Sequence, residues 1–229
     1  MCNVANEEDY ILNFLRLKDA VATGLGAATV DASVDYAWKG EALAKKLHVL
    51  FPWLKIVMVM REPISRMISY TRMYTLRGHR VKGCQTGQTL YQCLRWRFDA
   101  EDSHYDKALE GWMKVFPIDQ ILVLQFEKLQ EDIEGQLHKL KEFLGLDPAL
   151  PKFKFRNVNR KQNPKGYSIT RQEYQELIDT VQPHVERTMM LLESKRLANT
   201  SEWMMRWMGI WDQNLGACDP EGNCRINSK

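Results

Sequence analysis

Residues 54 to 76 read LKIVMVMREPISRMISYTRMYTL. From Leu54 to Met60 every residue but Lys55 is apolar, so the run predicts a short strand apolar on both faces, typical of the centre of a parallel sheet. Arg61 stands at its C-terminal end, and Pro63, suited to the first position of a helix, opens a helical segment through Ile64, Ser65, Arg66, Met67, Ile68, Ser69 and Tyr70. Open α/β sheets bind ligands beyond the carboxyl ends of their strands. A helix N-terminus there offers unpaired backbone N–H groups and the positive end of a dipole. Arg61 adds a planar fork able to grip a phosphate with two bonds, and Ser69 adds a hydroxyl two turns along. The competing reading is a plain strand-to-helix turn whose arginine pairs with a surface carboxylate.

An Arg-acidic-Pro triplet followed by Arg66 and Ser69 at this spacing resembles the 3′-phosphate motif of sulfotransferases that use 3′-phosphoadenosine 5′-phosphosulfate (PAPS), in particular the Golgi sulfotransferases of heparan-type glycosaminoglycans. The resemblance implies that Arg61 and Ser69 hold the 3′-phosphate of the nucleotide. Other segments carry it further. TVDASVDYAW places Asp31, Ser33 and Tyr36 in the pattern of the family's acidic-Lys-Thr/Ser-Pro-aromatic segment, with Ala32 where the lysine stands and Val34 near the proline. The segment SHYDKALEGWMKVFPIDQILVLQFEKL resembles the family's order of a Ser-x-Tyr, a tryptophan seven residues on, a Phe-Pro turn, an apolar strand and an acidic residue before a helix. There Tyr105 takes the place of a residue near the nucleotide. Lys165 and Gly166 match two positions of a Lys-Gly-Arg loop around the 3′-phosphate and adenine, with Tyr167 in place of the arginine. A basic irregular linker is the alternative for residues 151 to 168.

The chain has 229 residues, 45% hydrophobic and 27% charged, enough for one sizeable core. A net charge of +3 is too small to name an anionic partner. No apolar run reaches the length of a membrane span, and MCNVANEEDY lacks the apolar core of a signal peptide. Gly24 and Gly26 are preceded by no strand and followed by no lysine, so they do not read as a phosphate loop. Of the five cysteines, Cys2, Cys84 and Cys93 show no metal spacing, and Cys218 and Cys224 are close enough for a local disulfide if the chain folds in an oxidising compartment. Asn199-Thr200-Ser201 is a glycosylation sequon that matters only in a secreted chain. The basic loop at 77 to 83 reads as a solvated loop or as the rim of a glycan site.

Helices are expected over 7–20, 37–51, 63–76, 90–98, the stretch after Tyr105, and 131–144 closed by Gly145. Thr170 and Glu173 form a capping box that opens a helix, and Pro183 opens another. Trp203, Met204, Trp207, Met208, Ile210 and Trp211 read as a packing stripe. With strands at 27–32, 54–60 and 121–126, the fold class is α/β: a three-layer α/β/α domain with a mainly parallel sheet. The resemblance makes this the P-loop-NTPase-like sulfotransferase fold without its opening strand and phosphate loop, over residues 1–215, followed by a Cys-containing tail at 216–229.

The implied activity is transfer of a sulfuryl group from PAPS, with no metal, to a hydroxyl or amine of a glycosaminoglycan-like carbohydrate in the Golgi lumen. No nucleic acid is expected as a partner, and a membrane is reached only through an N-terminal anchor outside this sequence. Nucleotide-binding candidates are Arg61, Ser69, Tyr105, Lys165 and Gly166. Candidate general bases are Asp31 and His104, with Glu7 and Glu8 behind them. The missing phosphate loop and Ala32 leave a second class open, a non-catalytic nucleotide- or glycan-binding protein of the same fold. A third reading, a small kinase, lacks both a P-loop and any other motif.

Overall fold

A computed structural model of the chain describes residues 36–76, 88–99, 104–147 and 167–226. The expected helix at 7–20 and strand at 27–32 lie outside these residues, as do Asp31, Lys165 and Gly166.

Helix α1 (Tyr36–Leu50) turns down its apolar residues Ala44 and Leu47 and is broken at Gly40, whose φ of 50° is open to glycine at little cost. After Pro52 the chain enters β1 (Ile56–Met60) and then α2 (Pro63–Leu76). Helices α3 (Leu90–Asp99) and α4 (Tyr105–Met113) follow, and one 3₁₀ turn leads into β2 (Ile121–Gln125). β1 and β2 pair in parallel, Ile56 opposite Ile121 and Met60 opposite Gln125. Both strands therefore end at the same edge, where Arg61 leads towards α2 and Phe126 begins the helix after β2.

The 131–144 helix is preceded by a short one. Helix α5 (Phe126–Glu131) follows β2 directly, and Asp132 then starts α6 (Ile133–Leu144) by accepting the Gly135 N–H at 3.0 Å. Gly145 closes α6 in the left-handed conformation at φ 69°, as its sequence position predicts. α6 packs against β2.

Met58, Met60, Ile121 and Val123 point into a continuous apolar core with Leu47, Ile64, Leu109, Trp112 and Phe116. The opposite side of β1 departs from the expectation of cover on both faces: Val57 is 40% and Val59 49% exposed. An unbroken apolar run shows that a strand can be buried on both sides, not that a layer lies over each.

Helix α4 crosses α1 with almost no gap. A Cβ on Gly111 would sit 2.7 Å from the Glu41 backbone nitrogen, and the Trp112 indole donates to the Ala37 carbonyl at 3.3 Å.

Two strands join the C-terminal half, β3 (Tyr167–Thr170) and β4 (Asn223–Ile226), antiparallel, with Ile169 opposite Cys224. Ile169, Cys224 and Ile226 are buried, and Cys218 is bonded to Cys224, with Cα atoms 3.8 Å apart. Cys93 is disulfide-bonded too.

Between these strands run α7 (Arg171–Ser194) and α8 (Thr200–Gly216). The capping box is formed: the Glu173 N–H donates to Thr170 Oγ1 at 3.1 Å and the Thr170 N–H to Glu173 Oε2 at 2.8 Å. Pro183 does not open a new helix. It lies inside α7, because Tyr174, Leu177, Ile178 and Val181 stay in phase with Val185, Thr188, Met189 and Leu192 on one buried stripe. That packing outweighs the one hydrogen bond the proline removes. In α8, Trp203, Trp207 and Trp211 are buried, whereas Met208 of the expected stripe is 45% exposed. None of the described helices is long and apolar enough to cross a membrane.

Candidate functional site

The site is built where β1 and β2 end together. Arg61 follows Met60, and its backbone is clamped by one side chain from α4: the Arg61 N–H donates to Tyr105 Oη at 3.2 Å, and that hydroxyl donates to the Arg61 carbonyl at 3.0 Å. The Arg61 guanidinium lies over the Phe126 ring, 4.8 Å from its centre. Arg66, one turn into α2, lies 4.6 Å from the Trp38 ring centre and 5.6 Å from that of Tyr105. Trp38 and Tyr105 themselves sit 5.8 Å apart. Two arginines thus meet one buried tyrosine, Arg61 through its backbone and Arg66 over the ring, and each guanidinium rests on an aromatic face.

Burial pulls Arg61 below its ordinary value; Glu127 and Glu62 oppose this, and Arg66 adds to it. An arginine keeps its proton regardless, so the direction reports the desolvation of its guanidinium, partly offset by the nearby Glu127 and Glu62. Burial also pushes the Tyr105 hydroxyl up, and at neutral pH it stays a donor to the Arg61 carbonyl.

The helix N-terminus differs from its expected role. Glu62 is fully buried, and its carboxylate accepts the Ile64 N–H at 2.7 Å and the Ser65 N–H at 2.7 Å. The Arg66 N–H bonds the Glu62 carbonyl at 2.9 Å. The chain's own acid therefore occupies the dipole end that the sequence reading left for a phosphate. Burial raises Glu62 above the usual carboxylate range, opposed by its hydrogen bonds to Ser65, Trp211 and Ile64. The first N–H groups of α2 are therefore already taken by the chain itself.

Ser69 is half-buried on α2, one turn beyond Ser65. Tyr167, the residue after Gly166, begins β3 within electrostatic reach of Arg72, less than one turn beyond Ser69; burial raises its hydroxyl and Arg72 opposes this. Among the described residues, Tyr167 Oη is buried without a hydrogen-bond partner.

A sequence model of the Sulfotransferase family matches residues 32–149, just over half of the chain. The chain belongs to the Sulfotransferase family. Its match to mouse heparan sulfate glucosamine 3-O-sulfotransferase 3B1 is 28% identical over 131 residues, 53% of this chain and 32% of the relative. Human heparan sulfate glucosamine 3-O-sulfotransferase 5 is 27% identical over 126 residues, 49% of this chain and 35% of the relative. The matched stretch thus spans about a third of the length of these curated relatives. A solved sulfotransferase from Alicyclobacillus acidocaldarius superposes with a TM-score of 0.53 at 18% identity, over 82% of this chain and 75% of that one. The helix-rich architecture around a parallel sheet is the α/β sulfotransferase fold.

Of the sequence-nominated residues in this sulfotransferase domain, Arg61 and Tyr105 touch, and Ser69 rides the helix that Arg61 precedes. His104, one residue before Tyr105, stacks on His184 of α7, with ring centres 3.5 Å apart and planes 11° apart. Beside that stack, buried Asp106 receives Arg187 Nε at 2.8 Å and lies 3.1 Å from His184 Nδ1. His104 therefore belongs to a tie between α4 and α7.

In the sequence, Glu62 and Glu127 carry no individual site role and enter only as the acids of their motifs, and Trp207 and Trp211 read as packing. Glu127 Oε1 accepts the Glu62 N–H at 2.9 Å and Oε2 accepts the Trp207 indole at 3.1 Å; the Trp211 indole donates to Glu62 Oε1 at 2.8 Å. The one available signal was the spacing of the two tryptophans, four residues apart, which reads equally as packing.

Proposed function

We propose that this domain binds PAPS through its 3′-phosphate at Arg61 and acts in sulfuryl transfer to a hydroxyl or amine of a glycosaminoglycan-like carbohydrate in the Golgi lumen. One observation carries the reading: Arg61 ends a parallel strand inside the family-matched segment, its backbone is held by Tyr105, and Arg66 stands across the same ring. The residues fit a phosphate group. Two forked cations, the Ser69 hydroxyl and the orphaned Tyr167 hydroxyl lie on α2 or within reach of it.

PAPS supplies the sulfuryl group and leaves as 3′-phosphoadenosine 5′-phosphate. Arg61 and Arg66 bind and orient the nucleotide, Tyr105 fixes the Arg61 backbone, and an aromatic ring supports each guanidinium. Lys165 and Gly166 are assigned to the same phosphate, next in chain to Tyr167. Asp31 and His104 remain the candidates for holding the acceptor proton. Ala32, at the position of the family's lysine, favours a second reading, in which the chain binds nucleotide without turnover. The exposed Asn199 of the sequon and the Cys218–Cys224 bond support an oxidising, glycosylating compartment.

Charge-assisted bonds to phosphate contribute roughly 1.5 to 3 kcal/mol each. Arg61→Ala should therefore weaken 3′-phosphoadenosine 5′-phosphate by about tenfold to a hundredfold. Adenosine 5′-phosphate, lacking the 3′ group, should lose far less. Calorimetric titration of both ligands decides: equal losses, or no wild-type preference for the 3′-phosphorylated ligand, defeat the assignment. Binding without sulfuryl transfer from PAPS to a heparan oligosaccharide selects the second reading.

A further inference from the structure

We propose that Asn199 carries an N-linked oligosaccharide on its carboxamide nitrogen while its carboxamide oxygen goes on capping α8. The proposal rests on the oxidising, glycosylating lumen proposed above, and on nothing at the nucleotide site.

Asn199-Thr200-Ser201 has the acceptor pattern Asn-x-Ser, with no proline at the middle position. A plainer explanation is at hand, since asparagine is also a favoured residue in front of a helix. Asn199 does cap α8: its Oδ1 accepts the Glu202 N–H at 3.3 Å. That bond uses the oxygen and leaves the nitrogen out of the cap, and aspartate or serine would serve the cap equally well. The two readings are therefore not rivals, because one carboxamide has an atom for each.

The fold holds this side chain outward. α7 ends with Arg196 in the left-handed conformation at φ 56°. The Leu197 N–H donates to the Leu192 carbonyl at 2.8 Å and the Arg196 N–H to the Glu193 carbonyl at 2.9 Å, the paired bonds that close a helix sharply. Leu197 and Ala198 then pack against the core. Asn199 follows them and is exposed, as is Ser201 after it. Across the turn, Glu193 to Arg196 are exposed as well. A bulky polar group at this α7–α8 corner therefore meets solvent rather than packed side chains. The cysteines agree with the compartment: Cys218 is bonded to Cys224, and Cys93 is disulfide-bonded too.

The step needs a donor, an oligosaccharide carried on a lipid diphosphate. The Asn199 nitrogen forms a bond to the anomeric carbon, and the bond from that carbon to the diphosphate oxygen breaks. The nitrogen gives up one proton and the lipid diphosphate leaves; nothing is oxidised or reduced.

The test uses the protein purified from the cells that make it. Free thiols are alkylated without reduction, the chain is cut with trypsin, and N-linked sugar is removed by peptide N-glycosidase in ¹⁸O-water. Residues 197–206 form one peptide and residues 207–225, with both tail cysteines, the next. The first should carry ¹⁸O-labelled aspartate at position 199, and the second should resist alkylation. An unmodified asparagine beside a bonded 207–225 peptide overturns the proposal and leaves the compartment standing. An unmodified asparagine with both thiols alkylated overturns the compartment along with it. The shared role of the side chain has its own readout. Asn199→Ala and Ser201→Ala both lose the sugar, but only the first loses the capping oxygen. Asn199→Ala should unfold at lower urea than Ser201→Ala, and the glycosylated wild type should be no less stable than Ser201→Ala. Equal midpoints for the two variants, or a wild type below Ser201→Ala, overturn the claim that one carboxamide serves both.

Discussion

Replacing Tyr105 by phenylalanine isolates what one hydroxyl does for the arginine beside it. Tyr105 is 6% exposed, its ring packs near Trp38 and Trp207, and its oxygen makes two bonds to the Arg61 backbone, at 3.2 and 3.0 Å. Phenylalanine keeps the ring contacts, so the loss comes from the hydrogen bonds and from an N–H and a C=O left without that partner. Both bonds are longer than the optimum for a hydroxyl, which puts each near the lower part of the usual net range of about 0.5 to 1.5 kcal/mol. Stranding the backbone groups raises the total to about 1 to 3 kcal/mol. For a chain of this size each kcal/mol lowers Tm by about 2 to 4 °C. Tyr105→Ala removes the packing as well and should cost about 3 to 5 kcal/mol. Urea denaturation followed by tryptophan fluorescence gives both values. On the proposed assignment of Arg61 to the 3′-phosphate, the nucleotide titration should show Tyr105→Phe weakening 3′-phosphoadenosine 5′-phosphate more than adenosine 5′-phosphate. A Tyr105→Phe protein as stable as wild type, with its preference for the 3′-phosphate intact, would refute the clamp.

Two further predictions concern the scaffold. Gly111→Ala drives a methyl to 2.7 Å from the Glu41 backbone nitrogen, where no flexible side chain can yield, and should cost about 1 to 3 kcal/mol in the same urea assay; an unchanged midpoint would mean that α1 and α4 do not cross this closely. For Asp106, burial pushes the carboxyl up, but the bonds from Arg187 and His184 outweigh it and hold it below its ordinary value of 3.8. Its stabilisation is therefore complete above that value and is lost as the pH falls through the lower folded one. Asp106→Asn should cost about 1 to 3 kcal/mol at neutral pH, and the gap from wild type should close in acid. A gap that is constant or widens in acid contradicts the ion-pair account.

Much of the frame was legible in the sequence because it rests on local rules. The apolar run before Arg61 and Pro63 locates β1 and α2, and Ile121 onward locates β2, since strand and helix periods are properties of consecutive residues. The capping box at Thr170 and the left-handed stop at Gly145 follow from side chains within one turn. The motif spacing was enough to place the chain among sulfotransferases. Other features depend on residues far apart in sequence. Pro183 is a helix start by local rule, yet a continuous buried stripe carries α7 through it. Val57 and Val59 read like Met58 and Met60, and only the arrangement of helices around the sheet separates exposed from buried. The N-terminus of α2 looks like an open anion site in sequence; folding places the Glu62 carboxylate on its N–H groups. Trp207 and Trp211 are apolar spacing in the sequence and become hydrogen-bond donors to Glu127 and Glu62 only when α8 packs beside the ends of β1 and β2. The sequence by itself determined where the arginine stands and what precedes and follows it. The tertiary structure decided which charges surround it, because the direction of a side-chain donor toward a residue 80 positions away is set by packing and not by any local pattern.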